Sequence, residues 1–253
     1  MRYGKMAIVA SILDAERKSK LFIDRNRKQD GSLIADLQDT WYPRFMKILG
    51  AGVSAQNVDR LFENVSFIDF NYDRCLPQFL IAALQPLYGI DENRAQQIVS
   101  KAKVFHPYGS VGDLPATRMA PGVPFGDPDE NADLFGLSDR IRIYTEQVQD
   151  HGVINDIRQT MRTARTVVFL GYAYYEQNMK LITPTEDSKT RRIFGTAFGI
   201  SQSDCAVIQG SLGFLLDKSL KPFQAGDQTI AIRNDLTCSQ FLSDYLRTLA
   251  ASY

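Results

Sequence analysis

Val65-Ser66-Phe67-Ile68-Asp69-Phe70-Asn71-Tyr72-Asp73-Arg74 is the stretch whose reading decides the fold. Its first six residues form a compact β-branched and aromatic run that stops at Asn71, which predicts a short buried strand. A helix is expected to follow through Phe79 to Leu84, with Pro77 tolerated in its first turn. Asp91 is placed to cap a further helix carrying Ala95, Ile98 and Val99. Val104-Phe105 reads as a second, very short strand ending at His106. Thr166-Val167-Val168-Phe169-Leu170 is the clearest strand in the chain and ends at Gly171, and Arg192-Ile193-Phe194 is a fourth, ending at Gly195-Thr196. Strands alternating with helices predict an α/β fold: a doubly wound, mainly parallel Rossmann-like sheet, helices on both faces, and a helical lobe.

Upstream of the decisive stretch the chain reads as helical. Met6, Ile8, Val9, Ile12 and Leu13 make one apolar stripe, with Glu16, Arg17 and Lys18 falling largely off it. Asp24 to Ser32 reads as a charged loop, and Trp41, Tyr42, Phe45 and Ile48 suggest a second helical face. Gly50-Ala51-Gly52-Val53-Ser54 is open to two readings. It is a phosphate loop if Phe45 to Leu49 is a strand, and a helix end leading into another helix if not. Downstream, Gly109 to Gly136 is dense in Gly and Pro and is expected to form a flap beside His106. Ser138 to Ala164 reads as a long polar helix, broken near His151-Gly152, with His151 facing solvent. Phe241, Leu242, Tyr245, Leu246 and Leu249 predict an amphipathic closing helix. The expectation is a single domain: a helical lobe over 1–64, a sheet core over 65–235 containing the 109–136 loop, and a closing helix over 236–253.

Composition narrows the class. With 44% hydrophobic and 23% charged residues the chain is globular in character. Lys plus Arg and Asp plus Glu are both 29, so net charge is zero. A protein that neutralises phosphate backbones carries a basic excess, which makes nucleic acid a poor partner. Zero net charge also offers little colloidal repulsion, so a homo-oligomer is compatible with it. Cys75, Cys205 and Cys238 are scattered, with no CxxC pair, which points to a reducing, cytoplasmic setting and away from a zinc site or other metal. No secretory leader and no apolar stretch of about 18 residues is visible, so no membrane partner is expected.

In open α/β sheets ligands sit beyond the carboxyl ends of the strands. Here those ends carry Asn71-Tyr72-Asp73, His106-Pro107-Tyr108-Gly109-Ser110, Gly171-Tyr172-Ala173-Tyr174 with Asn178 a turn later, and Gly195-Thr196. Taken singly, each is as well explained as a turn residue, a cap or a structural histidine. Taken together they mark one cleft, lined by Asn71, His106, Gly171 and Gly195, at one sheet edge.

This order of segments, an apolar strand into Asn-Tyr-Asp, a short strand into His with Gly-Ser behind it, and Val-Val-Phe-Leu-Gly-Tyr, resembles the sirtuin-like domains over roughly residues 65 to 200. It is most similar to the bacterial branch in NAD-consuming antiphage defence. The resemblance implies NAD as substrate and cleavage of its nicotinamide–ribose bond. Asn71 would position water or the ribose, and His106 would act as general base. Asp73, Gly109, Ser110, Gly171, Tyr172 and Asn178 would bind the nucleotide. The absent CxxC pairs set it apart from the lysine deacylases of that family. Those domains open with a strand and a GAGxS loop, so the chain resembles a member lacking its first βα unit. The other reading is a catalytically silent module used for nucleotide sensing or assembly.

Overall fold

The computed structural model describes residues 2–23, 33–115, 121–126, 133–143, 146, 151–220 and 228–251. The chain divides into two compact units, Met1–Gln149 and Asp150–Tyr253, each described by itself.

The first unit opens with α1 (Arg2–Lys18), followed by α2 (Leu33–Asp36) and α3 (Tyr42–Leu49). The apolar stripe is present: Val9 and Leu13 are fully buried, in a cluster with Val111, Leu137 and Ile141. Glu16 departs from expectation. It is 1% exposed, one turn on from Leu13 on the buried face, and an arginine from elsewhere in the chain meets it there. In α3, the ring of Trp41 at the helix start stacks on Tyr42 with centroids 4.3 Å apart. Phe45 to Leu49 is helical rather than extended, and Gly50 closes that helix by donating its N–H to Met46 O. A 3-10 turn, Ala55–Arg60, comes next. The helix-end reading of Gly50–Ser54 therefore holds, and no strand leads into those glycines.

The decisive stretch forms β1 (Ser66–Ile68), shorter than the six-residue run. It leads into α4 (Cys75–Tyr88), with Pro77 in the first turn as expected, and α5 (Glu92–Val99), where the Asp91 carboxylate accepts the Arg94 N–H at 2.8 Å. β2 (Lys103–Phe105) then pairs parallel to β1 with Ser66 opposite Lys103 and Ile68 opposite Phe105. Leu80, Leu84, Ala95 and Ile98, all fully buried, hold these helices in the unit's larger core.

In the described parts of 109–136, Val111, Phe125 and Gly126 are buried, Asp113, Pro121, Gly122 and Pro124 are exposed, and Leu134–Gly136 belongs to α6 (Leu134–Arg140). Residues 116–120 and 127–132 lie outside the described residues, as does the 24–32 loop. The long helix over 138–164 is instead two separate helices, α6 and α7 (His151–Thr163), with extended backbone at Ile141. The His151 side chain is outside the described set.

In the second unit β3 (Thr166–Phe169), β4 (Arg192–Thr196) and β5 (Thr229–Arg233) form a parallel sheet in that order. The crossovers contain α8 (Glu176–Ile182) and α9 (Gln202–Leu212). The closing helix divides at Tyr245 into Cys238–Asp244 and Leu246–Ala250, and Thr237 starts it with a capping box. Neither β5 nor α9 was expected from the sequence. The fold is thus mixed α/β, with pairing among the described residues making a two-stranded and a three-stranded parallel sheet. No helix among the described residues is long and apolar enough to cross a membrane.

Candidate functional site

Parallel register is what assembles the site in the first unit. With Ile68 opposite Phe105, the next residues, Asp69 and His106, leave adjacent strands side by side, and Asp69 N–H adds one more rung to Phe105 O at 2.8 Å. Asp69 then ends the strand. Its Oδ1 accepts the Asn71 N–H at 2.9 Å, an Asx turn that bends the chain away from the ladder. This turn presents the Asn71 carbonyl to the imidazole, with His106 Nδ1 at 3.2 Å. A carbonyl oxygen only accepts, so this contact requires the proton on Nδ1 and leaves Nε2 as the basic nitrogen. Asn71 is exposed and His106 half-buried, an arrangement that lets a small molecule reach both.

Behind the turn the environment is dry. Burial raises the Asp69 carboxyl above the usual carboxylate range, opposed by hydrogen bonds from the Asn71 backbone and by the His106 imidazole, with Asp73 adding to the rise. Burial likewise pushes the Cys75 thiol and the Tyr42 phenol up, and Asp73 reinforces both. Cys75 is therefore a protonated thiol at neutral pH and no nucleophile.

The remaining sequence-predicted residues of this unit have local work. Asp73 accepts the Cys75 N–H at 3.0 Å at the start of α4. Gly109 closes the turn from His106 at φ +82°, and a Cβ there would overlap the Arg140 carbonyl oxygen. Ser110 is half-buried beside it. An open cavity of about 500 Å³ is lined by Asp113, Pro121, Gly122, Val123, Asp133 and Arg140, among others, and by none of the expected site residues. Asp69, Asn71 and His106 converge at the strand ends, outside that cavity.

One edge of a single sheet was expected to carry Asn71, His106, Gly171 and Gly195 together. Instead Asn71 and His106 follow the two-stranded sheet, whereas Gly171 and Gly195 belong to the three-stranded one. Within the second unit Gly171 leaves β3 at φ +60° and donates its N–H to Thr196 Oγ1 at 3.0 Å. Tyr172 packs its ring 5.2 Å from both Phe169 and Tyr174. Asn178 sits half-buried in the first turn of α8. Gly195 is in β4, where a side chain would collide with the Tyr174 hydroxyl and with Phe169. Tyr174, at φ 55°, is the one non-glycine residue with positive φ among those described, and its hydroxyl donates to Thr196 O at 3.2 Å. The glycine at 195 exists for that ring.

No family model, curated protein or solved structure matches the chain. The site is therefore read from its own geometry. Two groups escaped the sequence reading. Asp69 was absorbed into an apolar run, although Asp two residues before a turn asparagine is the signature of an Asx turn. Arg74, 2% exposed, binds Glu16 through its backbone N–H at 2.9 Å, Nε at 3.1 Å and Nη2, and also donates to Val123 O through Nη1 and to Pro124 O through Nη2. No sequence pattern marks two charged residues 58 positions apart as partners. Among the described residues no group of three His, Cys, Asp or Glu is placed to hold a metal ion.

Proposed function

We propose that the chain is a sirtuin-like domain that hydrolyses NAD at the nicotinamide–ribose bond, with Asn71 and His106 as its reactive pair. The observation that carries this reading is the contact between His106 Nδ1 and Asn71 O at the ends of two adjacent parallel strands. It orients an imidazole whose free nitrogen is basic, beside an exposed amide. In the proposed reaction water forms a bond to the anomeric carbon, the carbon–nitrogen bond breaks, and nicotinamide leaves with the bonding pair. Nε2 of His106 takes the proton from water, a role worth about 10²–10⁴-fold. Asn71 holds water or ribose, and Asp73, Gly109 and Ser110, from the same unit, belong to the nucleotide-binding part of the proposal; for Gly171, Tyr172 and Asn178 that role rests on the resemblance alone.

The doubly wound Rossmann-like arrangement is part of the same reading, supported by the parallel pairing of the described strands and the helical crossovers. A reducing cytoplasmic setting is supported by the three free cysteines. A role in antiphage defence rests on the resemblance alone.

A second reading, a catalytically silent module that senses a nucleotide or serves in assembly, is favoured by one observation. Gly50–Ser54 follow a helix, so the amides that would cradle a pyrophosphate at a strand-to-helix turn are not supplied there. Nicotinamide release from NAD separates the two. The hydrolytic reading expects release that drops by about 10²–10⁴-fold in His106→Ala and is lost in Asn71→Ala, with unfolding midpoints unchanged. Binding of NAD without release supports the silent module, and absence of detectable binding by calorimetry overturns both.

A further inference from the structure

We infer that Asp69 is the positioning residue of the strand-end site, holding Asn71 and His106 in one hydrogen-bonded circuit through its carboxylate. The inference rests on the reading of Asn71 and His106 as the reactive pair and adds a residue to it. Three contacts define the circuit. The Asp69 backbone joins β1 to Phe105, the residue immediately before His106, at 2.8 Å. Its carboxylate fixes the Asn71 N–H at 2.9 Å. Asn71 in turn offers its carbonyl to Nδ1 of His106. Asn71 thus links the other two at the point where the strands stop, because it is the partner of both.

The chemistry of the carboxylate matters beyond its shape. An ionised Asp69 accepts only, so it holds the Asn71 N–H. A protonated one gives up acceptor capacity and turns one oxygen into a donor. The titratable groups that bear on it are His106 from the end of β2, Asp73 from its own turn and Tyr42 from α3. Of these, only the imidazole favours the ionised form, and it does so from within the circuit. Burial opposes that form. The site therefore carries a carboxyl raised by its dry setting and opposed by the hydrogen bond of the Asn71 turn and by the imidazole, and its state bears on how firmly that turn is held.

The test uses the 253-residue chain labelled with ¹⁵N and ¹³C and titrated by NMR. The expected result is one shared midpoint, above the ordinary carboxylate range, at the Asp69 carboxyl carbon, the Asn71 backbone amide and the His106 ring signals. In Asp69→Asn that step disappears from both Asn71 and His106 while the spectrum stays dispersed. In His106→Gln the Asp69 midpoint moves up, because the neighbour that favours the carboxylate is gone. An Asn71 amide that ignores the Asp69 titration overturns the inference, and so does an Asp69 midpoint unchanged in His106→Gln. Should Asp69→Asn fail to fold, the His106→Gln arm still decides. With NAD as the probe, Asp69→Asn is expected to lower kcat on the order of 10–100-fold with little change in KM, as small misplacements of reacting groups do. If the wild-type chain releases no nicotinamide, the hydrolytic reading falls while the titration continues to decide whether Asp69 positions the pair.

Discussion

Glu16 with Arg74, and Asp69 with Asn71 and His106, are two polar clusters of the first unit, each built on one carboxylate, and they are built in opposite ways. The first is sealed, with side chains 0% and 3% exposed. Gly126 N–H joins Arg74 in donating to Glu16, and the guanidinium also donates to two carbonyls. The Glu16 carboxylate accepts from four donors, so the pair ties α1, the turn and the 121–126 segment into one arrangement. The second is half-open, with Asn71 exposed and His106 half-buried. A fully partnered charge can only hold. A partly partnered one is free to exchange a proton or a ligand.

The sharpest way to break the contrast is at the sealed pair. Arg74→Met leaves the Glu16 carboxylate buried without its partner and should cost about 3–5 kcal/mol of stability in denaturant unfolding. Adding Glu16→Leu should recover much of that loss. A cost under about 1 kcal/mol for the single variant would mean that the pair behaves like a surface ion pair. Gly109→Ala tests the open side three residues beyond His106. The left-handed backbone alone costs about 1–3 kcal/mol, and the collision with Arg140 adds to it, so a midpoint shift smaller than that of an exposed Gly→Ala control is the adverse outcome.

The smallest effect is the pH dependence of Asp69. Its folded-state midpoint lies above the unfolded value near 3.8, so burying the ionised form is a cost at neutral pH. That cost is relieved as pH falls through the raised midpoint and is gone below the unfolded one. Asp39, Asp59, Glu146, Glu176, Asp217 and Asp235 are shifted down by neighbouring cations and hydrogen bonds, and their contributions are lost as pH falls through those lower values. The stability difference between wild type and Asp69→Asn should therefore move in favour of wild type on acidification. A flat difference from neutral pH to 3.8 would show that Asp69 is solvated rather than buried.

Much of the order of elements was legible because it is written locally. Met6 to Leu13 carries a helical period, Thr166 to Phe169 a strand, and Asp91 a cap whose function depends only on the next three residues. Gly50–Ser54 misled because its letters are those of a phosphate loop while its meaning depends on whether Phe45 to Leu49 is strand or helix. The pairing of strands into two sheets is a non-local fact that no window of sequence contains. At the site, Asn71 and His106 were visible as polar residues following apolar runs. Asp69 was hidden by its place inside such a run, and Glu16 by the charged residues that follow it.

Trp41, stacked on Tyr42 at the start of α3, is the only tryptophan in the chain, and it belongs to the first unit. Light absorbed selectively by indole therefore reports on the surroundings of α3 in the first unit. Unfolding followed by that emission and by far-ultraviolet circular dichroism will superimpose if the two units melt as one cooperative body, and will separate if they melt independently. The protein thus comes with its own optical label on the half that carries Asn71 and His106.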